Sequence, residues 1–116
     1  MSIAYIVVTS VTIAVNAAIA ITDFARARFV LANSAEVGVP QSWLPALATL
    51  KTAGAAGLAI GLLGVRPIGI AAAIGLVLFY TGAVVTHLRA RVFHNIAFPG
   101  AFLALAIASL GLALAP

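Results

Sequence analysis

Hydrophobic residues fill four long stretches of the chain, and charged residues lie almost entirely between them. Residues 3–22, 67–86 and 95–116 contain no charged side chain, and residues 43–65 contain only Lys51. A helix needs about 20 residues to cross a bilayer, and in lipid it must satisfy its own backbone hydrogen bonds. The pattern therefore predicts four membrane-spanning helices, at about residues 3–22, 44–64, 67–88 and 95–115.

Composition supports this interpretation. The chain is 65% hydrophobic and 7% charged, whereas a soluble domain carries about 25% charged residues. The 116 residues are expected to form one all-α domain, an integral membrane four-helix bundle in contact with the lipid bilayer. No cysteine is present, which excludes disulfides and thiolate metal ligands. The net charge of +4 comes from basic residues that flank the spans, so we expect no nucleic-acid binding.

The connections between the spans differ in length. The longest, residues 23–42, mixes apolar and charged side chains, which predicts either an interfacial helical turn or a continuation of the first span. Gly38-Val39-Pro40 then ends any helix. Only Val65 and Arg66 separate the second and third spans. Such a short link predicts that these two spans are antiparallel neighbours.

Basic residues predict the orientation. Arg26, Arg28, Arg89 and Arg91 follow the first and third spans, whereas Arg66 alone lies at the opposite end. By the positive-inside rule, the loops at residues 23–43 and 89–94 are expected in the cytoplasm and both termini outside it. The four arginines, together with His87, are interpreted as interface or topology residues. Arg89 and Arg91 are in addition interpreted as anchors that contact phospholipid.

Small residues recur at intervals of four in the last three spans. Ala53, Gly57 and Gly61 lie four residues apart in the second span, and the two glycines form a GxxxG pattern. The third span has Ala71 and Gly75 at the same spacing, with Gly82 seven residues further on, and the fourth has Gly100, Ala104 and Ala108. Small residues at this spacing allow membrane helices to approach closely. We expect them to pack inside the bundle, and the alternative is a homo-oligomer formed through the same stripes.

Lys51 is the most informative residue, because a charge at membrane depth costs about 2.5–3.5 kcal/mol on insertion scales. It needs a partner, contact with water, or a function. One interpretation is an ion pair with Asp23 that joins the first two spans, and another is a side chain that extends to the cytoplasmic interface.

A third interpretation is a polar pocket in the cytoplasmic half of the bundle. Helical rise places Asn16, Lys51, Tyr80 and Thr81 at similar depth on three spans. Such a pocket, bounded by Asp23, would bind the head group of a quinone-like molecule, with its tail against apolar walls. No cofactor motif is evident, so a quinone is a hypothesis that depends on this pocket.

Two histidines raise the question of a metal or haem. His87 and His94 are seven residues apart, but the third span is expected to end between them. No cluster of carboxylates, cysteines or methionines accompanies them, so we predict no metal site. His87 is interpreted as an interfacial residue or as part of a polar network.

Four segments resemble the DoxX-like family of membrane proteins. They are Gly38-Val39-Pro40, residues 50–58 (LKTAGAAGL), residues 66–73 (RPIGIAAA) and residues 82–89 (GAVVTHLR). The resemblance implies a four-helix bundle in the bacterial cytoplasmic membrane. The family name derives from a subunit of a thiosulfate:quinone oxidoreductase, and most relatives have no established activity. Many relatives resemble a pattern with a basic residue at position 23 and an acidic one at position 51, so the signs of Asp23 and Lys51 are exchanged here.

Three functions are consistent with the sequence. The leading hypothesis is an accessory or scaffold subunit of a membrane complex, redox-linked through the family resemblance. The second is a protein or oxidoreductase that binds a quinone or another lipophile near Lys51, and the third is a self-associating structural protein. A cavity that reaches Lys51 would favour the second hypothesis. The sequence leaves open whether the protein is an enzyme.

Overall fold

The structure, a computed structural model, describes residues 1–115 and is entirely helical apart from its connections. Within these residues, five α-helices follow one another: α1 (Ile3–Phe24), α2 (Arg28–Glu36), α3 (Leu44–Leu62), α4 (Arg66–Ala90) and α5 (Ala97–Leu114). A single 3-10 turn, Gln41–Trp43, leads into α3. The predicted all-α fold class is confirmed, and the bounds of the four predicted spans differ from α1, α3, α4 and α5 by no more than two residues.

Four helices are long and apolar enough to cross a membrane, namely α1, α3 with its preceding turn, α4 and α5. They pack in the cyclic order α1, α3, α4, α5, so that α1 and α4 lie diagonally across the bundle. We call the end that contains the start of α1, the α3–α4 turn and the end of α5 the termini face. The opposite end, which contains α2 and the α4–α5 loop, is the loop face.

The longest connection forms a separate helix, α2, which corresponds to the interfacial helical turn rather than to a continuation of α1. The chain leaves α1 through Arg26, which has a left-handed φ of 53°, and enters α2 two residues later. Arg26 also donates a hydrogen bond to Gln41 Oε1 at 2.8 Å. The tight turn between α3 and α4 contains Gly64 at φ 116°, a backbone conformation that residues other than glycine rarely adopt.

The glycines divide into two groups by their surroundings. A Cβ added at Gly61 would lie 2.6 Å from Gly69 Cα, and one at Gly57 would lie 2.6 Å from Ala72 Cβ. Gly57 and Gly61 of the α3 stripe therefore pack inside the bundle against α4, as expected, whereas Ala53 is exposed. By contrast, a Cβ added at Gly75 or Gly82 would meet nothing within 4 Å, so the prediction of internal packing is wrong for the α4 stripe.

Candidate functional site

Polar side chains line the buried face of α1. Thr9, Thr12, Asn16 and Asp23 occur at spacings of three, four and seven, so they share one face of the helix together with Ala20. All are at most 4% exposed, whereas most of the remaining residues of α1 are apolar. In so hydrophobic a bundle, a buried polar face needs partners on the neighbouring helices.

Asp23 pairs with Lys51 of α3. Lys51 Nζ donates to Asp23 Oδ2 at 2.6 Å, and the two side chains are 13% and 4% exposed. The ammonium group also lies 5.4 Å from the ring centroid of Phe79, within the range of a cation–π interaction. Of the interpretations offered for Lys51, the structure thus shows the geometry of the ion pair, which joins α1 to α3.

Asn16 is bound to Tyr80 of α4. The Tyr80 hydroxyl donates to Asn16 Oδ1 at 2.5 Å, and Asn16 Nδ2 donates to the carbonyl oxygen of Thr12 at 2.8 Å. The Tyr80 ring packs against Phe79 and Phe102 at centroid distances of 5.0 and 5.2 Å. Because α1 and α4 lie diagonally opposite each other, this hydrogen bond crosses the middle of the bundle.

Thr12 completes the set by contacting α5. Its hydroxyl lies 2.8 Å from Ser109 Oγ, and both residues are almost fully buried. Polar side-chain contacts therefore join α1 to each of the other three spans: Asp23–Lys51 to α3, Asn16–Tyr80 to α4 and Thr12–Ser109 to α5. They lie at three successive depths along α1. Neither Thr12 nor Ser109 was among the residues predicted from the sequence. The spacing of Thr9, Thr12, Asn16 and Asp23 is the signal that would have indicated a continuous polar face on α1.

Two of the four residues predicted to line a polar pocket contact each other in the structure. Asn16 and Tyr80 point inward and contact each other, while Lys51 is engaged by Asp23. Thr81 does not join them. It follows the buried Tyr80 by one residue, which rotates it about 100° around α4 to an exposed position, where its hydroxyl donates to the Val77 carbonyl oxygen.

A second polar cluster lies at the loop face. His87, at the end of α4, is 5% exposed, with Nδ1 at 2.9 Å from the Ala83 carbonyl oxygen and Nε2 at 3.3 Å from Asn33 Oδ1. Asn95 Nδ2 donates to the same Asn33 oxygen at 2.7 Å. His87 thus belongs to a polar network that holds α2 against the end of the bundle. Asn33 and Asn95 were not predicted from the sequence, since neither lies in a recognisable motif.

The predicted anchoring residues are at the same face. Arg26, Arg28, Arg89 and Arg91 are all exposed at the ends of α1 and α4 or at the start of α2. On the exposed surface, His94 Nε2 lies 2.6 Å from Glu36 Oε2. Within residues 1–115, no three His, Cys, Asp or Glu side chains come together as potential metal ligands.

Two of the cavities that residues 1–115 form at the surface bear on the site. One, of about 490 Å³, is an apolar groove between α3 and α4, lined by Leu50, Ala53, Gly54, Ala72, Gly75, Leu76, Leu78 and Phe79. The other, of about 360 Å³, lies at the termini face and is lined by Met1, Ser2, Tyr5, Gly61, Gly64, Arg66, Leu112, Ala113 and Ala115. The groove is bordered by Phe79, the aromatic neighbour of Lys51, whereas the cavity at the termini face is the more polar of the two.

Comparison with known families agrees with this architecture. Residues 7–109 match the DoxX-like family, and this range contains α3 and α4 and most of α1 and α5. The chain belongs to the DoxX-like family. This DoxX-like protein is thus a multi-pass membrane protein, and the resemblance found in the sequence is confirmed. No curated protein and no solved structure matches the chain.

Proposed function

We propose that this DoxX-like protein is a non-enzymatic accessory or scaffold subunit of a membrane complex, and that the complex is redox-linked. The observation that carries the proposal is that the buried polar groups hydrogen-bond to one another between the helices. Asp23–Lys51, Asn16–Tyr80 and Thr12–Ser109 each join α1 to a different span. These groups are engaged with one another, an arrangement that serves the architecture of the bundle.

Native purification tests the scaffold function. The tagged protein would be extracted in mild detergent after in-cell crosslinking, and bound proteins would be identified by mass spectrometry. The matched variant is the charge exchange Asp23→Lys with Lys51→Asp, which keeps an ion pair but reverses its polarity. We expect the same partner proteins with both forms. Recovery of a lone chain, without any stoichiometric protein partner, would contradict the scaffold proposal.

The second candidate is a lipophile-binding protein, or an oxidoreductase, that takes a quinone-like molecule. The observation in its favour is the apolar groove between α3 and α4, because Phe79 lines the groove and its ring also lies 5.4 Å from Lys51 Nζ. A ligand tail along the groove would bring a carbonyl head group towards a cationic donor. Lys51 would then donate to the carbonyl oxygen, sharing its ammonium protons with Asp23.

A pair of α3 variants tests this alternative. Ala53→Phe fills the groove, whereas Ala56→Phe places the same ring on an exposed position of α3 outside the groove lining. Organic extracts of the purified proteins would be compared by mass spectrometry. Loss of a co-purified quinone or lipid from Ala53→Phe alone would support ligand binding. Equal lipid content in both variants would argue against it.

The orientation proposed from the arginines places the loop face in the cytoplasm of a bacterium and the termini face outside the cytoplasmic membrane. The chain contains no cysteine, so single cysteines can be introduced cleanly. Phe93 and Leu63 are 58% and 85% exposed at opposite ends of the bundle. In intact cells, a membrane-impermeant maleimide should label Leu63→Cys and spare Phe93→Cys. The reverse labelling pattern would invert the topology.

A further inference from the structure

The cavity at the termini face is built by all four spans. Its lining contains Ser2 and Tyr5 at the start of α1, Gly61 near the end of α3, Arg66 at the start of α4 and Ala113 near the end of α5. Its volume of about 360 Å³ falls in the range of pockets that hold small ligands. Because the spans begin and end here, the cavity lies at the level where a bilayer places its polar head groups.

Arg66 is the only charged side chain that residues 1–115 contribute to this lining, and hydrogen bonds hold it in place. Its Nε donates to the Ala113 carbonyl oxygen at 2.9 Å, and its Nη2 donates to the Ala115 carbonyl oxygen at 3.4 Å. These bonds attach the guanidinium group to the end of α5. A guanidinium group has five N–H donors, so the contacts within residues 1–115 leave the other donors for an acceptor in the cavity.

Two hydroxyl groups belong to the same lining. The Tyr5 hydroxyl oxygen lies 3.5 Å from the position that a Cβ on Gly61 would occupy, so the ring extends from α1 towards α3. Ser2 Oγ accepts a hydrogen bond from the Tyr5 backbone N–H at 3.0 Å. Within residues 1–115 neither hydroxyl group donates a hydrogen bond, so the cavity presents two neutral donors in addition to the guanidinium group.

The side-chain charge at this end of the bundle is positive. Asp23 and Glu36 are the two acidic residues of the chain, and both lie towards the loop face, where they contact Lys51 and His94. Two of the spans begin at the termini face and two end there, so their helix dipoles largely cancel. Arg66 therefore sets the sign of the potential in the cavity, which favours an anionic ligand.

We propose that the cavity at the termini face binds a phosphate group, carried either by the head group of a phospholipid or by a free phosphate ester. The guanidinium group of Arg66 donates to the phosphate oxygens, and the hydroxyl groups of Tyr5 and Ser2 donate from α1. A bound phosphate then joins the start of α1 to the start of α4, which lie diagonally across the bundle. The site includes neither the Asp23–Lys51 pair nor the groove between α3 and α4, so it depends on neither candidate function.

Ligand binding by the purified full chain tests the site. Native mass spectrometry in mild detergent would compare dioleoyl phosphatidylglycerol with dioleoylglycerol, which has the same acyl chains but no phosphate. Calorimetric titration with glycerol 3-phosphate would test a free ester. The variant Arg66→Gln removes the guanidinium group, and the matched control Arg28→Gln removes the same charge from an exposed position at the loop face.

We expect Arg66→Gln alone to bind the phosphate ligand at least about tenfold more weakly, the effect of losing one charge-assisted hydrogen bond. Loss of phosphatidylglycerol binding alone assigns the site to a lipid head group, and loss of glycerol 3-phosphate binding assigns it to a free ester as well. Unchanged binding of both ligands by Arg66→Gln overturns the proposal. Equal losses in Arg66→Gln and Arg28→Gln, or equal binding of dioleoylglycerol, also overturn it.

Chemical protection of the wild-type chain gives a second readout that does not require Arg66→Gln to fold. Phenylglyoxal modifies exposed arginines, and peptide mass spectrometry would follow Arg66 and the four arginines of the loop face in one sample. At least one of the two phosphate ligands should slow the modification of Arg66 by about threefold or more, because a bound phosphate occupies its N–H donors. No slowing at Arg66, or equal slowing at all five arginines, would show that no specific site exists.

Discussion

The ion pair between Asp23 and Lys51 offers the sharpest test of how this bundle is held together. Lys51→Met removes the charge while keeping an unbranched apolar side chain, and Asp23→Asn removes the other charge with almost no change in shape. The double variant removes both charges. The exchange Asp23→Lys with Lys51→Asp restores a pair of opposite polarity, the arrangement that the family resemblance associates with these two positions.

The expected magnitude follows from burial. Removing one partner of a buried ion pair typically costs about 3–5 kcal/mol, because the remaining charge is left without compensation in a low-dielectric environment. Asp23 is 4% exposed and Lys51 is 13% exposed, so the carboxylate has less access to water than the ammonium group. Lys51→Met leaves the Asp23 carboxylate, the more deeply buried of the two charges, without a partner. It should therefore be the more harmful single change, near 3 kcal/mol, with Asp23→Asn smaller because Lys51 retains partial hydration.

The assay is a double-mutant cycle on the free energy of unfolding in mild detergent. Neutralising both residues leaves no isolated charge, so the double variant should be less destabilised than the sum of the singles by about 1–3 kcal/mol. The charge exchange should recover stability relative to either charge-reversing single substitution. Additivity of the two neutralising substitutions within about 0.5 kcal/mol would show that the charges do not interact, and the pairing argument would be wrong.

Two further predictions concern neutral residues. Gly61→Ala should lower the melting temperature, because its Cβ would lie 2.6 Å from the backbone of Gly69, whereas Gly75→Ala, with open space around it, should leave the melting temperature unchanged or raise it by improving helix propensity. Equal effects of the two alanines would refute the division between packed and outward glycines. Tyr80→Phe should destabilise the bundle by about 1–3 kcal/mol by leaving buried Asn16 Oδ1 without its donor, while Thr81→Val on the exposed face serves as the control in the same melt.

The fold could be predicted because its main determinants are local. Runs of about 20 apolar residues require helices in lipid, and Pro67 after the short Val65–Arg66 link marks the start of α4. The separate helix α2 was harder to predict, since it is only nine residues long and its position depends on Asn33 contacting His87 and Asn95. Contacts between residues more than 50 positions apart leave no local pattern in a single sequence.

The sequence predicts how deep each polar residue lies in the membrane, but not whether its side chain points into the bundle. Rise per residue places Asn16, Lys51, Tyr80 and Thr81 at similar levels, but the rotation of each helix about its axis decides which of them point inward. That rotation is set by packing, as where α3 meets α4 at Gly61 and Gly69. Depth alone therefore predicts Thr81 in the interior, although it faces outward. Ser109 gives no signal of its own, because its partner Thr12 is 97 positions away in the sequence.

The pairing of Asp23 with Lys51 also bears on how the chain enters the membrane. The α3 segment has the lowest hydropathy of the four spans, 1.2 against 2.0–2.2, and it alone carries a charge in its interior. By the time α3 leaves the ribosome, α1 has already been synthesised and can present its carboxylate at the membrane surface. We expect α3 to partition into the bilayer together with α1, with Asp23 lowering the barrier for burying the ammonium group. A glycosylation-mapping assay would then show less complete insertion of α3 when Asp23 is replaced by asparagine. The ion pair would thus assist biogenesis before it contributes to the stability of the finished bundle.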